Sequence, residues 1–268
     1  MPEGILPDYS RQAQTYDQTR GASRSVVAAL RGAIDEAPGR RLADIGGGTG
    51  NYALALAELG WVPLVIDRSP DMLQQAAAKG LETLLADAEQ LPLADASFDA
   101  AVMVSMLHHV DNPQAALVEA KRVLRPNGCL AVKMFSKEDV ESLWLYDYFP
   151  STRPWMIDTH PSVSEFQHQL PGASLSRLRL TDLADASMAA LAGRPDLVLE
   201  ERWRTQTSYF ERLERDHSDE LNAGLQRLAD DLDKGRVPDR ESGSATLIAW
   251  QKPAAGIRRF ISRLAQRL

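Results

Sequence analysis

The stretch Leu42-Ala43-Asp44-Ile45-Gly46-Gly47-Gly48-Thr49-Gly50 constrains this chain more than any other. A short apolar run, Leu42–Ile45, ends in a glycine-rich loop, and a helical pattern over 51–59 follows. Glycines there allow a tight turn and let a ligand approach the backbone with no Cβ in the way. Further apolar runs follow at Leu64–Ile66, Leu84–Leu85 and Ala100–Val104, and another, Leu130–Phe135, comes after the turn Arg125-Pro126-Asn127-Gly128. Helical patterns over 70–79 and 112–124 lie between them. Strands alternating with helices predict βαβ units and a parallel sheet.

The loop spacing narrows the ligand. A dinucleotide fingerprint needs G-x-G-x-x-G, but counting from Gly46 and Gly48 puts the third position at Asn51, which argues against an NAD oxidoreductase. No Gly-Lys-Ser/Thr phosphate loop is present. Asp44, just before the loop, would repel a pyrophosphate and suit a ligand that carries an ammonium and a sulfonium.

With 268 residues, 44% of them apolar, the chain can bury the core of one α/β domain with an elaboration. A net charge of -7 argues against a nucleic-acid partner. No apolar run approaches the roughly 18 residues of a membrane span. Met1-Pro2-Glu3-Gly4 lacks the basic-then-apolar pattern of a signal peptide, so a cytoplasmic location is expected. The single cysteine, Cys129, excludes an internal disulfide and a cysteine cluster, and reads as a small core residue. Asp158, His160, Glu165 and His168 have no ligand spacing, so no metal is expected.

Five segments result. Residues 1–38 are an arm and a helix, with Val26, Val27, Leu30 and Ile34 at helical spacing over 22–35. Residues 39–136 form the ligand-binding core. Residues 137–235 form a helical cap, with a strand near 175–180 and helical pattern over 186–235. Residues 236–253 hold a final strand at Thr246–Trp250. Residues 254–268 form a basic amphipathic tail with Arg258, Arg259, Arg263 and Arg267. That tail suits an anionic membrane surface, its own domain, or a homodimer contact. The cap falls over the sheet's C-terminal edge, where open α/β sheets bind ligands.

Taken in order, Asp44–Gly50, Val65-Ile66-Asp67, Asp87-Ala88-Glu89, Leu91-Pro92-Leu93, Ser97-Phe98-Asp99, Ser105–Val110 and Arg122–Gly128 carry a resemblance. Over residues 40–135 the chain resembles the class I S-adenosylmethionine (SAM)-dependent methyltransferases, in their type-11 small-molecule group. Asn127-Gly128 stands where that group usually has Gly-Gly. The resemblance implies an α/β, Rossmann-like sheet of seven strands, mostly parallel with an antiparallel final strand. Helices would cover both faces, and a helical cap would be inserted after strand five. It implies SAM as cofactor and S-adenosylhomocysteine (SAH) as product. Asp44, Gly46, Gly47, Gly48 and Gly50 would hold the methionine end. Asp67, 21 residues after Gly46, would accept the ribose hydroxyls beside Arg68. Asp87 and Ala88 would flank the adenine, and Ser105 would border the cofactor. Tyr16-Asp17-Gln18-Thr19-Arg20 is similar to the group's N-terminal lid, with Arg20 placed for the methionine carboxylate.

Methyl transfer is an in-line displacement, and alignment can supply much of the rate. A base is needed only where the acceptor must lose a proton. His108 and His109 follow the fourth strand, and an ordinary imidazole titrates near neutrality. His109 is the favoured base, because phosphoethanolamine methyltransferases, which this stretch resembles, place a working histidine there with an N-terminal tyrosine. Tyr16 is the matching tyrosine. Trp144, Tyr146, Tyr148, Phe149 and Trp155 place five of the chain's 17 aromatics within 12 residues, as an acceptor wall or as the cap's own core. The expected activity is methylation of O, N or C of a small aromatic or apolar metabolite. The alternatives are a SAM-binding protein that moves no methyl group, and an RNA or protein methyltransferase. The acidic balance and the lack of an Asn/Asp-Pro-Pro-Tyr motif after strand four argue against RNA.

Overall fold

Alternation of side chains along each strand sorts the apolar residues onto the two faces of one seven-stranded sheet. The computed structural model describes residues 17, 20–180, 182, 184, 187–205, 207–236 and 244–254. The strands are β1 (Arg41–Ile45), β2 (Val62–Asp67), β3 (Glu82–Leu85), β4 (Phe98–Val104), β5 (Leu124–Met134), β6 (Ser174–Leu178) and β7 (Ala245–Gln251). Their spatial order is β3-β2-β1-β4-β5-β7-β6. Strands β1 to β5 pair in parallel, and β7 runs antiparallel between β5 and β6. The Rossmann-like sheet implied by the sequence is therefore present, its final strand antiparallel.

Helix α1 (Arg24–Ile34) buries Val26, Leu30 and Ile34 on one face, against Leu42, Ala100, Val102, Cys129 and Ala131. The other face carries Ala43, Ile45, Ala101, Met103, Leu130 and Val132. After α2 (Asn51–Ala57) and α3 (Pro70–Ala78), α4 (Pro113–Val123) covers that second face with Ala116, Leu117, Ala120 and Val123. Each fully buried Leu or Ile contributes about 1.5–3 kcal/mol. Helices α3 and α4 start by the same device. Ser69 accepts from the Met72 N–H at 3.4 Å and Asn112 from the Ala115 N–H at 3.1 Å, each followed by a proline in the first turn.

The cap comprises α5 (Lys137–Glu141), α6 (Arg153–Thr159), α7 (Val163–Gln167), α8 (Met188–Ala192), α9 (Pro195–Val198), α10 (Glu201–Arg204) and α11 (Ser208–Asp233). The helical stretch expected over 186–235 is thus broken. Pro195 restarts the chain after Gly193-Arg194, and Thr207 caps α11 by accepting from the Phe210 N–H at 3.3 Å. Helix α11 itself kinks at His217, whose φ and ψ are -146° and 49°. Trp144, Phe149, Phe210 and Leu213 belong to the same buried cluster as α1, so cap and sheet share one interior on that face.

The chain steps from β1 outward to β3, then returns as β4 on the other side of β1. Open α/β sheets bind ligands beyond the strand ends at such a switch point. Asp44 lies level with Val65 of β2 and Val102 of β4, so the residues after β1 and β4 frame one crevice. No described helix is long and apolar enough to cross a membrane.

Candidate cofactor and acceptor site

The loop after β1 folds back over its own acid. Gly46 and Gly47 donate their N–H groups to the Ile66 carbonyl at 2.7 and 3.1 Å, tying the loop to β2. A Cβ on Gly47 would lie 2.5 Å from Asp44 Oδ2, so only glycine lets the chain pass there. Gly48 has a φ of +55°, and a Cβ there would meet nothing within 4 Å, so its backbone fronts open space.

Asp44 is 1% exposed, and its Oδ2 has no hydrogen-bond partner among the described residues. Burial, and then the charge of Asp67, push its carboxyl up to about 7. Asp67 ends β2, with Oδ2 accepting from the Gly48 N–H and Oδ1 from the Ser69 N–H, both at 2.9 Å. Each oxygen keeps a lone pair, so Asp67 both braces the loop and can still accept ribose hydroxyls. Arg68, beside it, is exposed. Asp87 sits in an exposed turn, accepting from the Glu89 N–H at 2.9 Å, while Ala88 is buried.

The arm reaches this loop. The Thr49 hydroxyl donates to Asp17 Oδ1 at 2.6 Å and the Asn51 amide at 2.8 Å, while Lys79 Nζ lies 2.6 Å from Asp17 Oδ2. Burial raises the Asp17 carboxyl, but the hydrogen bonds from Lys79, Thr49 and Asn51 outweigh it and leave it below its ordinary value. The Arg20 carbonyl accepts from the Asn51 amide at 2.9 Å, and the Arg20 charge acts on both His108 and His109. Tyr16 and the tail over 255–268 lie outside the described residues.

Across the crevice, Ser105 leaves β4 with a φ of +53°, a left-handed conformation that costs a non-glycine residue energy. It is held twice by Lys133 of β5. The Ser105 N–H donates to the Lys133 carbonyl at 2.8 Å, and Lys133 Nζ donates to the Ser105 hydroxyl at 2.7 Å. Lys133 is 2% exposed, and its charge reaches His108. The His108 and His109 rings lie 3.8 Å apart, and His160, from the end of α6, stacks on His108 at 4.8 Å with 13° between planes. His160 Nδ1 is 2.8 Å from the Met156 carbonyl. A carbonyl only accepts, so Nδ1 carries the proton and Nε2 the lone pair.

Burial and neighbouring cations shift these imidazoles far from the ordinary range. Burial first, then Arg20, His160 and Arg68, take His109 down to about 3. Burial takes His160 to about 4, against the opposing Met156 hydrogen bond. His108 falls well below its ordinary value through burial, then His109, His160, Lys133 and Arg20. The ordinary imidazole value assumed from the sequence is thus corrected. All three are neutral at pH 7 and can accept hydrogen bonds, but none is poised to titrate there. Among the described residues, no group of three or more His, Cys, Asp or Glu is arranged to hold a metal ion.

The five cap aromatics divide. The Trp144 indole donates to the Ala192 carbonyl at 2.8 Å, the Tyr148 hydroxyl donates to Asp231 at 2.8 Å, and Phe149 is fully buried against Phe210. These three are occupied by the cap's own packing. Trp155 is half-buried beneath the Arg212 guanidinium, 4.5 Å from its ring centroid. Tyr146 is half-buried, and its buried hydroxyl has no partner among the described residues. Lys133 was not singled out from the sequence, although a lysine inside the apolar run Leu130–Phe135 is a signal; His160 was weighed there only as a metal ligand, and Asp17 only as part of the arm segment.

These residues fit one cofactor class. The buried, unpartnered Asp44 oxygen suits a cationic ligand, the open backbone at Gly48 suits a ligand lying against the loop, and Asp67 suits a diol. Over the residues of β1 to β5 the fold and this site are similar to the core of class I SAM-dependent methyltransferases. Residues 43–132 match the family model described as a methyltransferase domain. A protein of 37.1 kDa in transposon TN4556 of Streptomyces fradiae is 34% identical over 190 residues, covering 66% of this chain and 52% of its own length. The demethylmenaquinone methyltransferase of Renibacterium salmoninarum is 36% identical over 140 residues, covering 51% and 57%. The chain thus spans a little over half the length of these curated relatives. A methyltransferase attributed to an antibiotic biosynthesis pathway of Anabaena variabilis has a solved structure that superposes with a TM-score of 0.73 at 28% identity, covering 87% of this chain and 99% of that one.

Proposed function

We propose that this chain transfers a methyl group from SAM to O, N or C of a small aromatic or apolar metabolite held beneath the cap over 137–235. One juxtaposition carries the reading. The Asp44–Gly50 loop and the segment that carries His108 and His109 meet at the sheet's switch point, where a Cβ on Gly46 would lie 2.7 Å from the Met106 side chain and the charge of Arg68, next to Asp67, acts on His109. SAM supplies an activated methyl when bound. Asp44 and the loop orient its methionine end, and Asp67 orients its ribose. Ser105, pinned by Lys133, sets the path of the chain into the two histidines. A neutral imidazole there orients an O–H or N–H acceptor by accepting its hydrogen bond and takes its proton as the methyl arrives, when the acceptor becomes strongly acidic, with His109 the foremost candidate and His108 its neighbour. Arg20 closes the arm side, and Tyr16 lies four residues before it in sequence. Tyr146 offers a hydroxyl on the cap side. The demethylmenaquinone methyltransferase relative supports a small acceptor.

The test incubates the protein with SAM bearing a CD3 methyl and a panel of phenols, indoles, amines and quinols, read by mass spectrometry. A product heavier by one labelled methyl is expected. Confirmed SAM binding with no labelled product from the panel or from cell extract would contradict the proposal.

A further inference from the structure

The end of α6 fixes the His160 ring and leaves one of its nitrogens uncommitted. The His160 backbone N–H donates to the Met156 carbonyl at 3.2 Å, Nδ1 lies 2.8 Å from the same oxygen, and the Thr159 hydroxyl lies 3.2 Å from Nδ1. Just beyond, the Pro161 carbonyl accepts from the Lys137 N–H at 3.0 Å, and Glu138 accepts from the Val163 N–H at 3.2 Å and from the Ser162 hydroxyl. Lys137 opens α5 directly after β5, so this turn of the cap is tied to the C-terminal edge of the sheet. There the His160 ring lies nearly parallel to His108 and edge-on to Phe135, whose centroid is 6.1 Å away. His108 in turn touches His109.

With the proton on Nδ1, Nε2 carries a lone pair. Among the described residues no hydrogen bond reaches it. The residue is 8% exposed and Nε2 is not sealed off, so a bound molecule can donate to it. The charges of Arg20, Lys133 and Arg68 act on His108, His109 or both in one sense, each making an imidazole there harder to protonate. A cationic acceptor would meet the same repulsion, whereas an uncharged one that donates hydrogen bonds meets neutral imidazoles.

We propose that His160 is a further acceptor-binding residue, its Nε2 accepting a hydrogen bond from a second O–H or N–H of an uncharged acceptor whose first such group faces His109. The inference rests on the acceptor lying at the histidine pair. One donor group satisfies one imidazole, so a second imidazole brought in by the cap reads a second donor. An acceptor with a single donor leaves Nε2 unmatched and binds less tightly. His160 holds the acceptor alike before and during the reaction, so its loss acts chiefly on KM.

The test incubates CD3-labelled SAM and the full chain with catechol, resorcinol, hydroquinone and 2-aminophenol, each beside phenol, and with benzylamine. Any acceptor recovered from cell extract is compared in the same way with its analogue lacking one donor. Wild type, His160→Asn and His160→Gln are assayed together with SAH calorimetry and ligand-free melting. Asparagine puts an amide N–H where Nδ1 donates to Met156 but has no group at Nε2, whereas the glutamine carbonyl oxygen reaches the place of Nε2 and can accept. Wild type is expected to methylate a two-donor acceptor with a kcat/KM about tenfold above that of the single-donor analogue. His160→Asn should remove this discrimination through a KM about tenfold higher, with SAH affinity and melting temperature unchanged, and His160→Gln should restore most of it. Wild type that methylates single-donor acceptors as well as two-donor ones, or that favours benzylamine, overturns the role of His160 and leaves methyl transfer standing. So does a KM in His160→Asn within about twofold of wild type, or a loss that follows melting temperature and is not recovered in His160→Gln. SAH binding with no labelled product from any probe or from extract overturns this inference together with the reading it rests on.

Discussion

Replacing Asp44 with asparagine tests the electrostatics of the crevice in a quantity with a definite sign. The buried carboxyl titrates at about 7 in the fold against 3.8 for the free group, chiefly through burial and then through Asp67. Between those values the folded state holds a proton that the unfolded state has lost. The native state binds more protons there, so this group's contribution to stability falls as pH rises from 3.8 toward 7 and is fully unfavourable above it. Raising the carboxyl from 3.8 to about 7 corresponds to ~4 kcal/mol of penalty for the ionised, ligand-free protein. Asparagine removes the charge but must desolvate its amide, at about 1–2 kcal/mol, leaving a net gain of ~2 kcal/mol at pH 8. In a chain of this size that is about 4–8 °C in melting temperature. The three histidines work with the opposite sign over an overlapping window, so the comparison is between variant and wild type at each pH. Ligand-free Asp44→Asn should melt higher than wild type at pH 8, with the gap closing at pH 4, while calorimetry shows weaker SAH binding at pH 8. A variant less stable than wild type at pH 8, or one that binds SAH as tightly, would refute the argument.

Other perturbations separate the remaining roles. Asp67→Asn keeps the size of the side chain but loses its charge, and should weaken SAH binding by about 1–3 kcal/mol by calorimetry, since charge-assisted hydrogen bonds to loop and ribose both depend on it; unchanged affinity would mean that the ribose lies elsewhere. Gly47→Ala places a methyl 2.5 Å from Asp44 Oδ2 and should lower melting temperature and SAH affinity together, by about 1–3 kcal/mol. His109→Ala, assayed with an identified acceptor, should reduce turnover by about 10²-fold or more and leave SAH affinity within a few-fold. Wild-type turnover should show no histidine titration between pH 5 and 8, because His109 and His160 titrate at about 3 and about 4; a rise in activity centred near pH 6.5 would overturn the assignment of neutral imidazoles.

The sheet was legible because each strand is a short apolar run between turn signals and the glycine loop marks the first crossover. Strand β6 was harder, being mostly exposed and held by pairing with β7 rather than by burial. The two candidate acids, Asp44 and Asp67, were legible because they fall at strand ends. The bracing role of Asp67 was not, because it depends on how the loop closes. The cap aromatics divided in a way that composition cannot show, since an indole donating to a carbonyl and one lying beneath a guanidinium are the same letter. Lys133 was readable as a charge in an apolar strand, and Asp17 lay one residue from a tyrosine already in view. His160, considered in the sequence only for a metal, joins the histidine pair because α6 stacks it on His108. The depressed imidazoles follow from enclosure by Arg20, Lys133 and one another, which no local pattern records.

The crystal structure of the chain with SAH tests the central claim most directly. The account predicts the amino-acid end against Asp44 and the Gly46–Gly50 backbone, the ribose hydroxyls on Asp67, and the sulfur facing the His108–His109 pair beneath the cap. SAH bound elsewhere, or bound in this crevice with its sulfur turned away from both histidines, would contradict it.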